Sequence, residues 1–349
     1  MLKTAAVAMS GGVDSSLTAA LLIERGFRVI GLTMQLTEDS TAANDARRVA
    51  DCLNIEHHVI DLRAEFKSHV VNYFVDTYLN GRTPNPCVEC NKYIKFGALF
   101  DRAKELGADY FSTGHYARVE LVGDRYQLLK GVDLRKDQSY VLYNLRADQL
   151  PKIILPLGSQ SKERTRELAA QLKIPVADKP DSQEICFVPD DDYKAFLRAN
   201  AQQSEALEPG NIVSLDGKVI GQHHGAAYYT IGQRKGLGIS DPEPFYVVGT
   251  DPLNRRVIVG RSDDLFGRSL TVGNIHWIYP IELPLRAEAK IRYSPRVAKC
   301  TVDELDGRTT VVFDEPQRAI TVGQSIVFYD DDKVLGGGVI NRSQGRSFD

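Results

Sequence analysis

From Thr4 to Thr113 short β-rich apolar runs alternate with amphipathic helical patterns, and this alternation limits the fold more than any other feature of the chain. Strands are expected over 4–9, 27–34, 57–62 and 110–113, with helices over 15–25, 44–53, 64–79 and 94–106. Strands separated by helices pair through crossovers, which gives a parallel sheet with helices on its faces. Ligands of such open α/β sheets bind at the carboxyl edge of the strands.

The pattern changes further along. Residues 118–131 read as a hairpin and 162–172 as a helix ending before Pro175, while Cys186 lies in a non-helical segment. A polar stretch at 198–210 precedes short strands separated by Gly, Pro and Asp turns. At about 150 residues per domain, 349 residues make two or three domains. The expected organisation is a parallel-sheet α/β domain over 1–200, a small central β domain over 207–266 and a β-barrel-like domain over 267–349.

Composition excludes several classes. With 43% hydrophobic and 26% charged residues the chain is of globular type, and no apolar run approaches the roughly 18–20 residues that span a bilayer. The N-terminus carries only Lys3 before a short apolar stretch that runs into a glycine loop, unlike a secretory signal, so a cytoplasmic location is expected. At a net charge of −3, a nucleic acid would have to be held by a local patch. Cys52, Cys87, Cys90, Cys186 and Cys300 are too few and unevenly placed for a disulfide framework, which leaves catalytic, redox or metal chemistry.

Ser10-Gly11-Gly12-Val13-Asp14-Ser15-Ser16 joins the first strand to the first helix. Glycines there let backbone N–H groups approach a phosphate, and the helix N-terminus adds partial positive charge. The string is neither G-x-G-x-x-G nor G-x-x-x-x-G-K-[ST], because it has adjacent glycines and no lysine. Small hydroxyls and amides are therefore expected to hold the phosphates. A second constellation is Cys87-Val-Glu-Cys90, placed in a loop by its flanking prolines, with Cys186 far along the chain.

The glycine string resembles the PP-loop of the N-type ATP pyrophosphatases. Gly81-Arg-Thr-Pro-Asn-Pro-Cys-Val-Glu-Cys-Asn-Lys-Tyr-Ile-Lys-Phe96, Ala177-Asp-Lys-Pro-Asp-Ser-Gln-Glu-Ile-Cys-Phe187 and Tyr229-Thr-Ile-Gly-Gln-Arg-Lys-Gly-Leu-Gly238 resemble signature segments of the bacterial tRNA-specific 2-thiouridylases. Asp45-Ala-Arg-Arg48 and Leu335-Gly-Gly-Gly-Val-Ile340 extend the resemblance over nearly the whole chain.

The resemblance implies ATP-dependent replacement of the C2 oxygen of a tRNA wobble uridine by sulfur, with Mg2+ accompanying the ATP. Ala8, Met9, Ser10, Gly11, Gly12, Val13, Asp14 and Ser15 would line the ATP site with Met34 and Gly114, and Asp14 would also serve catalysis. Cys186 would carry a persulfide delivered by a sulfur-carrier protein or cysteine desulfurase, and Cys90 would act on it or attack as thiolate. Such thiols need a lowered pKa, for which Lys92 and Lys95 near Cys90 and Lys179 near Cys186 are the candidates. The best-known members carry Asp where this chain has Cys87. Three thiols, Cys87, Cys90 and Cys186, are also a ligand set for an iron-sulfur cluster with one open iron, and a bystander Cys87 is the third alternative.

For tRNA the resemblance points to His115, Lys136, Asp137, Gln138, Arg292, Tyr293 and Gln324. Arg286, Lys290, Arg292, Arg296 and Lys299 stand against Glu288 alone in one window, a phosphate-binding stripe if they share a surface; Arg234 and Lys235 are further candidates. Two rival readings remain: a PP-loop ligase that adenylates a small carboxylate or nucleotide, and a non-catalytic RNA-binding or iron-sulfur protein. The thiols weigh against the first and the intact loop against the second.

Overall fold

The computed structural model describes residues 2–38, 42–177, 185–201 and 203–344. Strands β1 (Thr4–Ala8), β2 (Arg28–Gln35), β3 (Glu56–Asp61), β4 (Tyr110–Ser112) and β7 (Ile153–Ile154) form one parallel sheet in the order β3-β2-β1-β4-β7. Alternation along the strands sends Ala6, Ala8, Ile30 and Leu32 to one core and Ala5, Val7, Met9 and Val29 to the other. Both faces are covered, as a parallel sheet requires. The order of strands reverses beside β1, so a crevice opens between the carboxyl ends of β1 and β4. Helix α1 (Val13–Glu24) starts at that crevice, and α2 (Ala42–Leu53) packs beside β2.

The cysteine segment differs from expectation. It is the start of a helix that runs from Pro86 to Glu105, with a π-helical stretch at Cys90–Leu99. Asn85 caps it by accepting from the Val88 N–H, and Pro86 occupies the first turn, where its missing N–H costs nothing. Reading the prolines as loop formers placed the helix start too late, because the Asn-Pro pair is itself a helix-start signal.

The hairpin β5 (Ala117–Val122) and β6 (Arg125–Lys130) forms as expected, but it does not close on the parallel-sheet unit alone. It extends a sheet built by β12 (Phe266–Trp277), β13 (Leu285–Lys290), β14 (Ala298–Leu305), β15 (Arg308–Arg318), β16 (Ser325–Asp330) and β17 (Lys333–Gln344). Because β12 pairs with both β15 and β17, this sheet closes into an antiparallel barrel around Leu270, Cys300, Val302, Phe313 and Phe328. Between the two units lies a four-stranded sheet of β8 (Gly210–Ser214), β9 (Val219–His223), β10 (Tyr246–Asp251) and β11 (Arg256–Gly260). The helix Tyr193–Asn200 runs into the polar stretch that precedes it.

Candidate active site at the glycine loop and the cysteine helix

The glycine loop is built for backbone contact. Gly11 has φ +71°, and a Cβ there would lie 2.8 Å from Asp45 Cβ, so α2 leaves no room for a side chain. Across the crevice, a Cβ on Gly114 would come within 2.9 Å of the Asp14 and Ser15 backbone. The chain therefore enters α1 directly against the end of β4. Ser15 and Ser16 hydroxyls donate to the Gly12 carbonyl at 3.1 and 2.8 Å, and Ser15 Oγ also accepts from the Ser10 N–H at 3.1 Å. Met9 and Val13 are buried in the core below, so only their backbones face the crevice, while Met34 is half-buried at the end of β2.

Sequence reasoning missed the cation of this loop. Lys162, at the start of the helix Lys162–Gln171, places Nζ 2.7 and 2.9 Å from the two Asp14 carboxylate oxygens. Tyr116 donates its hydroxyl to Asp14 Oδ1 at 2.9 Å, and its ring lies 5.5 Å from Nζ. The Lys162 side chain is only 8% exposed, against 32% for Asp14. The positive charge that the string lacks thus arrives from a distant helix. The one local hint was Ser161, an N-cap that fixes the helix start.

Cys87 and Cys186 reach solvent and Cys90 is half-buried, and all three are free thiols. Desolvation by the surrounding protein pushes every one of these thiols up, Cys90 to about 11. Lys95 pulls each of them down and loses to burial. The lowered thiol pKa expected from sequence is therefore not found in the resting protein. Lys92 instead lies over the Tyr93 ring at 4.8 Å, and Lys179 is outside the described residues, as are residues 178–184 of its motif. Among the described residues no three His, Cys, Asp or Glu side chains are gathered to hold a metal ion, so the thiols as arranged do not form a cluster ligand set.

His115 is buried beside Gly114 and accepts or donates at Nδ1 with Thr113 Oγ1, 2.6 Å away. Burial, helped by the Lys95 charge, holds its pKa well below the usual value, so it is neutral. The Phe96 ring, on the cysteine helix, lies 6.0 Å from the His115 ring, which makes the glycine crevice and that helix neighbours.

The other expected tRNA contacts divide. Asp137 is turned inward: its carboxylate accepts from Gly131 N, Ser139 N, Ser139 Oγ and, at 2.8 Å, Lys290 Nζ. That pair is sealed, at 0% and 4% side-chain exposure, so neither residue presents charge to a phosphate. Gln138 braces Tyr116 by accepting from its N–H at 2.9 Å, and Lys136 is half-buried. The basic stripe is likewise broken up, since Arg286 is paired with Asp314 and Arg292 donates to the Ala319 carbonyl at 3.0 Å. Arg292, despite that bond, and Arg296, Lys299, Arg234 and Lys235 remain exposed.

Tyr293 projects from the barrel towards Tyr140, ring centroids 6.2 Å apart. Gln324 donates Nε2 to the carbonyls of Thr83 and Pro84 at 3.2 and 2.8 Å, and the Thr83 N–H donates to Val322 O at 2.9 Å. The barrel therefore clamps the segment that leads into Cys87. Next to it a cleft of about 620 Å³ is lined by Asn91, Tyr93, Phe96, Arg146, Asn274 and His276. Asn91 Nδ2 donates to Val141 O at 3.2 Å, which leaves its buried Oδ1 without a donor among the described residues.

A family model described as tRNA methyl transferase HUP domain matches residues 3–190, a tRNA methyl transferase PRC-barrel domain model matches 194–261, and an aminomethyltransferase beta-barrel domain model matches 267–340. A Carboxydothermus hydrogenoformans protein named tRNA-specific 2-thiouridylase MnmA is 48% identical over 359 residues, covering 97% of this chain and 98% of its own. A Caldanaerobacter subterraneus protein named tRNA-specific 2-thiouridylase MnmA 2 is 50% identical over 355 residues, 96% of this chain and 97% of its own.

Proposed function

The chain belongs to the tRNA-specific 2-thiouridylase family, and on that premise we propose that it replaces the C2 oxygen of a tRNA wobble uridine by sulfur in two ATP-dependent stages. The catalytic unit is 1–200, with the β units 207–266 and 267–349 holding the RNA. The observation that supports this reading is a contact between the two sites: Phe96, on the helix that carries Cys87 and Cys90, lies 6.0 Å ring to ring from His115, which adjoins the glycine crevice. Activation of O2 by nucleotide and delivery of sulfur to C2 are then possible on one carbonyl group of the substrate.

In the first stage the uridine leaves the anticodon stack, an unstacking that costs a few kcal/mol. Its O2 attacks the α-phosphorus of ATP and pyrophosphate leaves. Backbone N–H groups of residues 10–15 cradle the phosphates at the start of α1, with Ala8, Met34 and Gly114 around the nucleoside. Lys162, steered by Asp14 and Tyr116, supplies positive charge to the departing pyrophosphate. Mg2+ enters as part of the MgATP substrate.

In the second stage the outer sulfur of a Cys186 persulfide, loaded by a carrier protein or desulfurase, attacks C2 and AMP departs. The Cys90 thiolate then attacks Cys186 Sγ, the sulfur-sulfur bond to the substrate breaks, and 2-thiouridine is released with Cys90 and Cys186 joined. Burial keeps both groups as thiols at rest, so reactivity is confined to the assembled complex. Arg292, Tyr293, Lys136 and His115 are the RNA-side contacts, and a substrate donor completes Asn91 Oδ1.

The test is incubation of unmodified wobble-uridine tRNA with ATP and a persulfide donor. AMP and 2-thiouridine are expected in equal amounts, with AMP retained and thiolation lost in Cys186→Ser. Thiolation that persists in Cys186→Ser, or that proceeds without AMP, would refute the scheme.

A further inference from the structure

Cys87 has no part in the two stages above, yet its position is specific. It is the second residue of a helix whose cap is Asn85, and Cys90 lies one turn on. Residues three apart on a helix have Cα atoms about 5 Å apart, inside the roughly 4.4–6.8 Å that a disulfide spans. A first helical turn also lacks N–H bonds to a preceding turn, so Cys87 can reorient without breaking the ladder.

Cys186 is held near this helix by its neighbour, close enough for its charge to act on Cys90. The Phe187 ring packs edge-on against Phe66 and Phe74, centroids 5.4 and 5.3 Å apart. Those rings, Val88 and Cys90 belong to one apolar cluster. The three sulfurs form a graded set: Cys90 is half-buried, while Cys87 and Cys186 are exposed. Cys90 is the sulfur shared by the pair of the transfer step and by the pair one helical turn apart, and Cys87 and Cys186 are each open to a partner.

Resting on the persulfide route proposed above, we propose that Cys87 is a resolving thiol. After sulfur transfer the Cys87 thiolate attacks Cys90 Sγ, a Cys87–Cys90 bond forms, the Cys90–Cys186 bond breaks, and Cys186 leaves as a thiolate that takes up the proton Cys87 released. The exchange involves no net oxidation. A dithiol reductant, small or protein-borne, then attacks the exposed Cys87 side and returns both cysteines to thiols. Meanwhile Cys186 is already free to accept its next sulfur. Chains with only Cys90 and Cys186 must wait for direct reduction of the bond between them.

The experiment is a single turnover from persulfide-loaded protein, quenched in acid, alkylated and mapped by peptide mass spectrometry, with disulfides counted per 2-thiouridine formed. Wild type is expected to yield Cys87–Cys90 with alkylated Cys186, whereas Cys87→Ser and Cys87→Asp yield Cys90–Cys186. With limiting dithiol, repeated turnover of both variants falls at least about tenfold, as loss of a neighbouring nucleophile's effective concentration requires. Two variants of different polarity guard against a folding defect, and product formation in the single turnover reports that each is folded. A Cys90–Cys186 disulfide with alkylated Cys87 in wild type, or wild-type repeated turnover in both variants, overturns the resolving role alone. If wild type forms product but neither disulfide, the persulfide route itself falls.

Discussion

Replacing Lys290 by Met should weaken the junction between the catalytic unit and the barrel. Lys290 ends β13, and its ammonium meets the Asp137 carboxylate at 2.8 Å with essentially no solvent at either side chain. Met conserves the bulk, so the chief loss is charge. Three donors to Asp137 survive, from Gly131 and Ser139, but a sealed carboxylate without a counter-ion remains. Breaking such a buried pair by deleting one partner costs about 3–5 kcal/mol, against about 0–1 kcal/mol for an exposed pair. In the double variant Asp137→Asn/Lys290→Met no buried charge is left, so its loss should be smaller than the sum of the single losses by roughly 1–3 kcal/mol. Urea unfolding followed by Trp277 fluorescence reads this directly, because Trp277 is the only tryptophan and packs on Phe328 in the barrel, centroids 5.2 Å apart. A Lys290→Met loss under about 1 kcal/mol would refute the sealed-pair reasoning. Weakened tRNA binding in Asp137→Asn at an unchanged urea midpoint would restore the contact role expected from sequence.

Lys162→Met should lower tRNA-dependent AMP formation about 10²–10³-fold, the usual effect of removing one charge-stabilising donor, and unchanged AMP formation would remove Lys162 from the phosphate site. Alkylation of Cys90 by iodoacetamide at pH 8 should be roughly 10²-fold slower than that of a small thiol, because burial pushes its pKa to about 11, and Lys95→Met should slow it further. A rate that levels off below pH 9 contradicts that assignment. His115 is held neutral in the folded protein, so below pH about 6.5 the unfolded chain binds a proton that the folded one does not, and stability falls as pH falls. His57 and His223 are shifted the same way and share the effect, so His115→Gln should reduce the slope of urea midpoint against pH between 6.5 and 5 without abolishing it. An unreduced slope in this variant would sink the assignment. Gly323 has φ +92°, and an added Cβ would lie 2.8 Å from the Thr83 carbonyl, so Gly323→Ala should displace the segment before Cys87 and slow thiolation more than AMP formation. Equal losses in the two would argue against a local displacement.

Much of the molecule was decided by signals that act over a few residues. Apolar runs interrupted by helical patterns indicated the parallel sheet, and adjacent glycines between a strand and a helix indicated a close backbone approach, which Gly11 makes at φ +71°. Even the helix at Pro86 was written locally, in the Asn-Pro pair. Packing decided the rest. Lys162 joins Asp14 across 148 positions because the last strand of the sheet lies beside β4 and carries the following helix to the loop. Arg286, Glu288 and Lys290 occupy alternate positions of β13 and so share one strand face, yet Arg286 is exposed while Lys290 is sealed. The cause is the segment carrying Asp137, which covers one end of that face and not the other. Gln324, expected at the RNA, holds Thr83 and Pro84 in place. A sequence states how much charge and apolar surface a strand carries. Which part of it remains in water depends on what another part of the chain lays over it, and that is settled only when the domains pack.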